Sequence, residues 1–127
     1  MADVVLDASA ILARAFGEPG GERVGAVMVG AFVSAVNLAE VVQKLLERGL
    51  TEAATQAFVR DFPCEIEPLE ADSAVRLGGL RRKTQASGLS LADRACLELA
   101  IRKALPAMTA DRAWADLDLG VEVVLIR

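Results

Sequence analysis

The sequence predicts an α/β fold with a mainly parallel sheet, and three observations carry that prediction. Short apolar or β-branched runs lie at Val4–Leu6, Ala31–Val33, around Glu65–Glu67, Ala107–Thr109 and Val121–Ile126, and they alternate with longer stretches of helical spacing. The first run is apolar at every position, as a strand buried on both faces requires. It leads straight into Asp7, which places a charge at the carboxyl edge of the sheet, where open α/β sheets bind ligands.

The elements follow in order. After the Val4–Leu6 strand, Ser9 is the expected N-cap of a helix through about Phe16. Gly17-Glu18-Pro19-Gly20-Gly21 breaks the chain, and a short helix through Met28 follows. Ser34 caps a helix to about Arg48, stopped by Gly49; Leu38, Val41, Val42, Leu45 and Leu46 form its apolar stripe. Thr51 caps the next helix, through about Phe62. Ala71–Ser87 reads as a helix weakened by Gly78-Gly79, with Arg81-Arg82-Lys83 as a solvated face. Ser90 caps a helix over Leu91–Leu105, stopped by Pro106. A helical turn or two spans Asp111–Leu117, where Trp114 reads as a core plug.

Composition limits the chemistry. At 127 residues and 54% hydrophobic, with no linker or repeat, the chain reads as one domain, 1–127. No apolar run approaches a membrane span. Met1-Ala2-Asp3 lacks the basic start of a secretory signal, so a cytoplasmic protein is expected. Cys64 and Cys96 lie far apart and read as reduced, buried thiols. The chain has no histidine, which excludes Ser-His-Asp and Cys-His catalysis, an imidazole base and His-ligated zinc. A net charge of −4 argues against holding nucleic acid by broad charge alone.

Carboxylates remain, and each has a structural reading beside a chemical one. Asp7 is a strand-end acid that also suits the start of the next helix. Asp93 lies three residues after Ser90, in capping-box spacing. At about 100° per residue it also falls with Cys96, Leu97, Ala100 and Ala104, opposite Arg94, Glu98 and Arg102. A carboxylate on a core-facing side needs a donor, a cation or a metal. Asp111 ends another strand as Asp7 does, and also suits an N-cap, with Thr109 able to orient it. Glu40 lies opposite the apolar stripe, and periodicity alone leaves it solvated. Asp116 and Asp118 read as surface acids, with Asp116 a peripheral water-mediated ligand at most. Oxygen-only ligands suit Mg²⁺ or Mn²⁺, and two such ions about 4 Å apart suit in-line phosphodiester hydrolysis.

Leu6-Asp7-Ala8-Ser9-Ala10-Ile11-Leu12, Asn37-Leu38-Ala39-Glu40, Leu91-Ala92-Asp93-Arg94-Ala95 and Thr109-Ala110-Asp111-Arg112-Ala113-Trp114 together resemble a PIN domain, and the likeness covers essentially the whole chain. The compact size resembles VapC-type toxins of toxin–antitoxin pairs. The resemblance implies a parallel sheet in the order 3-2-1-4-5, flanked by helices. It implies a Mg²⁺- or Mn²⁺-dependent ribonuclease whose acidic pocket is Asp7, Glu40, Asp93 and Asp111, supported by Ser9, Thr109 and Asn37. It further implies an RNA substrate, a VapB-type antitoxin partner and a homodimer. Three alternatives stay open: a stand-alone RNA-processing PIN nuclease, a non-catalytic PIN-like binding module and a receiver-like phosphoacceptor. The last lacks the neighbouring acidic pair and late lysine it would need.

Overall fold

The computed structural model describes residues 3–127; Met1 and Ala2, part of the stretch read above as lacking a leader, lie outside them. The strands are β1 Val5–Leu6, β2 Phe32–Ser34, β3 Glu65–Glu67, β4 Ala107–Thr109 and β5 Val123–Leu125. The helices are α1 Ala8–Ala15, α2 Gly21–Val27, α3 Ala35–Glu47, α4 Glu52–Arg60, α5 Ala71–Thr84 and α6 Leu91–Lys103. Short 3₁₀ turns cover Gln85–Ser87 and Arg112–Asp116. All strand pairs are parallel, and the sheet order is β3-β2-β1-β4-β5, as the family resemblance implied.

β1 is the centre of the sheet, with Val5 opposite both Phe32 of β2 and Ala107 of β4. Side chains alternate across a strand, so this short run serves two cores. Val4 and Leu6 pack with Ile11, Val24 and Val41, under α1, α2 and α3. Val5 packs with Leu97, Leu99 and Trp114, under α6 and the late 3₁₀ turn. That is why every position in the run is apolar. Trp114 is fully buried, the plug its sequence context suggested. Both cysteines are free and buried. Burial pushes the Cys64 thiol up to about 12 and the Cys96 thiol well above its ordinary value, so neither is a ready nucleophile. Among the described residues, no helix is long and apolar enough to cross a membrane.

Three helix starts are capped by the expected residues. Ser34 accepts from the Val36 amide, Thr51 from the Ala54 amide, and Ser90 from the Asp93 amide. The first is different: the N-cap of α1 is Asp7, and Ser9 lies inside the helix. Two further expectations change. Leu38, Val41 and Leu45 are buried, but Leu46 at the edge of that stripe is 41% exposed. On α6, the side expected to be polar is covered by α5. Glu98 is therefore only 3% exposed, and the Nε atoms of Arg76 and Arg102 approach one of its oxygens at 3.1 and 3.2 Å. Helical spacing located that face correctly but could not show that a second helix lies over it. Arg81, Arg82 and Lys83 are exposed at the end of α5, as expected.

Candidate active site at the carboxyl edge

β1 and β4 are neighbours with opposite connections, to α1 on one side and toward the late 3₁₀ turn on the other. Such a switch point opens a crevice at the carboxyl ends of the strands. Asp7 stands there, immediately after β1, and is 3% exposed. Its backbone is extended, its amide donates to the Met108 carbonyl of β4, and its side chain makes no capping bond to its own helix. The carboxylate turns instead toward two hydroxyls. Ser9 Oγ donates to Asp7 Oδ2 at 2.6 Å, and Thr109 Oγ1 donates to the same oxygen at 2.8 Å.

The direction of those two bonds is fixed by the carboxylate, which only accepts. Ser9 Oγ accepts from the Ala110 amide at 2.9 Å, and Thr109 Oγ1 accepts from the Asp111 amide at 3.0 Å. Each hydroxyl has one proton, and with an amide already pointing at its oxygen that proton goes to Asp7. Ser9 and Thr109 thus tie Asp7 to the chain leaving β4. Ser9 has this role because it lies in the first turn of α1, two residues after the Asp7 cap. Thr109 orients Asp111 through the backbone amide and Asp7 through the side chain.

Asp93 acts on Asp7 electrostatically, and both act on Glu40. Burial is the largest influence and raises the Asp7 carboxyl above its ordinary value; the two hydroxyls pull it down, and the negative charge of Asp93 raises it again. Glu40 is raised by burial first and then by Asp7 and Asp93, with Lys44 opposing. Asp7, Glu40 and Asp93 therefore form one field of like charge. Asp93 is also the third residue of a complete capping box, its Oδ2 accepting from the Ser90 amide at 2.9 Å. Both readings of this residue hold at once. Asn37, fully buried on α3, donates from Nδ2 to the Ala92 carbonyl at 2.8 Å. That bond joins the turn before Glu40 to the residue before Asp93.

Asp111 is exposed and caps the 3₁₀ turn by accepting from the Ala113 amide at 3.0 Å. Its link to Asp7 runs through Thr109 and not through a shared field. Asp116 is exposed at the end of the same turn. No three carboxylates among the described residues stand ready-made around one point as a metal cage. The donor set nevertheless suits a hard divalent cation. Asp7 is buried, hydrogen-bonded by side chains on one oxygen only, and has the negative charge of Asp93 acting on it.

A five-stranded parallel sheet flanked by helices, with a buried carboxylate at its switch point, defines a doubly wound α/β protein. The PIN domain profile matches residues 4–119, and the chain belongs to the PIN-domain family. No protein of curated function matches the sequence. Among solved structures, it is similar to DNA-bound VapBC from Salmonella typhimurium, at TM-score 0.74 and 19% identity over 100% of both chains. It is also similar to VapC20 of Mycobacterium tuberculosis, a sarcin-ricin loop cleaving toxin, at TM-score 0.72 and 18% identity over 94% of this chain and 98% of that one. VapBC-5 of the same organism, a member of the VapBC family of toxin–antitoxin systems, gives TM-score 0.64 and 26% identity over 98% and 99%.

Proposed function

We propose that the chain is a metal-dependent endoribonuclease and the toxin of a VapBC-type pair. The observation that carries this reading is Asp7: a buried carboxylate at the switch point, fixed by two hydroxyls and raised further by the negative charge of Asp93. Asp7, Glu40, Asp93 and Asp111 are the residues that would hold Mg²⁺ or Mn²⁺. When bound, such an ion supplies Lewis-acid chemistry, acidifying water and neutralising charge that builds on a phosphoryl group. Ser9 and Thr109 hold Asp7 in one orientation, so that its other oxygen faces the pocket. Asn37 keeps the turn carrying Glu40 against the start of α6 that carries Asp93. The chain has no histidine, so no imidazole takes the proton of the attacking water.

Partners follow from the same reading. The toxin–antitoxin setting of the similar structures supports a VapB-type antitoxin as partner. An anionic pocket is a natural target for an arginine from such a partner. A homodimer and a cytoplasmic site of action belong to the same proposal.

The test is cleavage of total cellular RNA by the purified chain with Mn²⁺, with Mg²⁺ and with chelator, beside Asp7→Asn. Discrete fragments that need the ion and vanish in the variant are expected. Metal binding with no cleavage, in protein free of any copurified partner, would replace the nuclease by the non-catalytic binding module.

A further inference from the structure

One cleft beside Asp7 brings three cations together. A cleft of about 390 Å³ lies between α1 and α3, with Ser9 at one end. Leu12 and Phe16 continue its α1 wall, while Lys44 and Arg48 form its α3 wall and Arg127 closes it. Ser9 is the residue whose hydroxyl holds Asp7, so the cleft opens from the candidate active site itself. Lys44 is one turn beyond Glu40 on α3. Two acids, Glu18 and Glu47, line the same cleft, so its three cations leave a small positive excess on a chain of net charge −4.

The cations are not equivalent. Arg127 is anchored, donating to the Pro19 carbonyl at 2.9 Å and pairing with Glu18 at 3.6 Å. Lys44 lies 3.5 Å from Glu47, but both side chains are half exposed, and such a pair is easily exchanged for another anion. Arg48 has no carboxylate partner among the described residues. Its guanidinium lies 4.0 Å from the centre of the Phe16 ring. Stacking on a ring occupies the face of a guanidinium and leaves the N–H groups at its edge free, in the fork that matches phosphate oxygens.

We infer that the cleft between α1 and α3 binds a backbone phosphate of an RNA strand beside the cut bond, with Arg48 as its fork and Lys44 as a second contact. This rests on the ribonuclease reading above, and it names how that site holds its substrate. Acids that gather a metal repel a polyanion, so the grip on the strand must come from cations at the rim. Those cations also set the direction in which the strand leaves the pocket, along α1 toward Phe16.

The experiment measures binding of a fluorescent single-stranded RNA oligonucleotide by anisotropy in the Asp7→Asn background, over a series of salt concentrations. Arg48→Ala is expected to weaken binding at least about tenfold and to flatten the slope of log affinity against log salt by about 0.7, the value for one phosphate contact. Arg48→Lys recovers part of the affinity, and Lys44→Ala gives a smaller loss. Arg60→Ala, a cation on α4 paired with Asp61 and outside the cleft, leaves both affinity and slope unchanged. In protein with Asp7 intact, Arg48→Ala raises KM and leaves kcat within about twofold. Unchanged affinity and slope in Arg48→Ala and Lys44→Ala overturn the inference, as does displacement of the RNA by a lower concentration of oligoglutamate. Cleavage by the intact chain together with that unchanged affinity removes the cleft and keeps the nuclease. Arg48-dependent binding without cleavage removes the nuclease and keeps the cleft.

Discussion

Asp7 and Glu98 are two carboxylates with equal burial, each 3% exposed, and they differ in everything around them. Glu98 has Arg76 and Arg102 at 3.1 and 3.2 Å, and Arg102 also reaches 4.0 Å from Glu67. Its charge is neutralised by the chain. Asp7 has two hydroxyls, which orient a charge but do not cancel it, and its charged neighbours are acids. Burying an uncompensated charge is costly, so the second arrangement persists only where something outside the chain completes it. Burial and residue type do not separate a structural acid from a functional one; the sign of its neighbours does.

The sharpest way to break the comparison is to neutralise each acid in turn. Asp7→Asn is expected to lower RNA cleavage at least about 10²-fold, the scale of losing one key electrostatic group. Glu98→Gln is expected to leave cleavage within about twofold, because Glu98 lies on the far side of α6 with α5 over it. Initial rates on one RNA under saturating Mn²⁺ read both. Equal losses would mean that Glu98 is coupled to the site through α6 and that the contrast is false.

The same contrast explains what the sequence made legible. Strand–helix alternation and the apolar β1 run are enough for the fold class, because the central strand serves two cores. Three of the four expected caps were correct, since Ser34, Thr51 and Ser90 each precede a helix with no competing residue. Ser9 was misassigned because Asp7 and Ser9 both suit an N-cap, and only tertiary contact with β4 decides which one takes it. Asp7 was found by position alone. Glu40 was not, since helical periodicity places it among solvated residues, and only resemblance to a family picked it out. Glu98 and Arg48 were missed for a common reason: their partners, Arg76 and Phe16, are distant in sequence, and no periodicity connects them.

On the proposed function, adding a divalent cation should turn one acid into the likeness of the other. Mn²⁺ at about one hundred times its Kd is expected to stabilise the intact chain by about 2.7 kcal/mol. The gain should be absent from Asp7→Asn and present in Glu98→Gln. Calorimetric melting with and without the ion measures it, and an equal gain in all three proteins would place the ion elsewhere. Asn37→Ala is expected to weaken Mn²⁺ binding about 10- to 100-fold, the usual effect of losing a group that orients ligands. Titration calorimetry reads it; unchanged affinity would limit Asn37 to packing. For the paired acid, Glu98→Ala should cost about 1–3 kcal/mol, from lost hydrogen bonds and from Arg76 left without its carboxylate, while Arg102 keeps Glu67. Because both arginines reach solvent, the loss is expected at the lower end of that range. Urea unfolding measures it.

The smallest effect is the most direct test of the difference in charge. Burial raises the Asp7 carboxyl from 3.8 and the Glu40 carboxyl from 4.5. Between those ordinary values and the raised native ones, the folded protein holds more protons than the unfolded chain, so stability falls as pH rises through that window. Above the raised values the penalty is complete and constant. Asp7→Asn has no such proton to lose. Metal-free Asp7→Asn should therefore melt higher than the metal-free parent at neutral pH, with the gap narrowing as pH drops toward 4. The difference between the two proteins is the quantity to follow, because carboxylates remote from Asp7 contribute equally to both curves and Glu40, which Asp7 helps to raise, adds to the gap in the same direction. Saturating Mn²⁺ should reverse the order at neutral pH by completing Asp7 in the parent alone. A gap that instead widened as pH fell would mean that Asp7 already has its compensating cation in the folded chain, as Glu98 does.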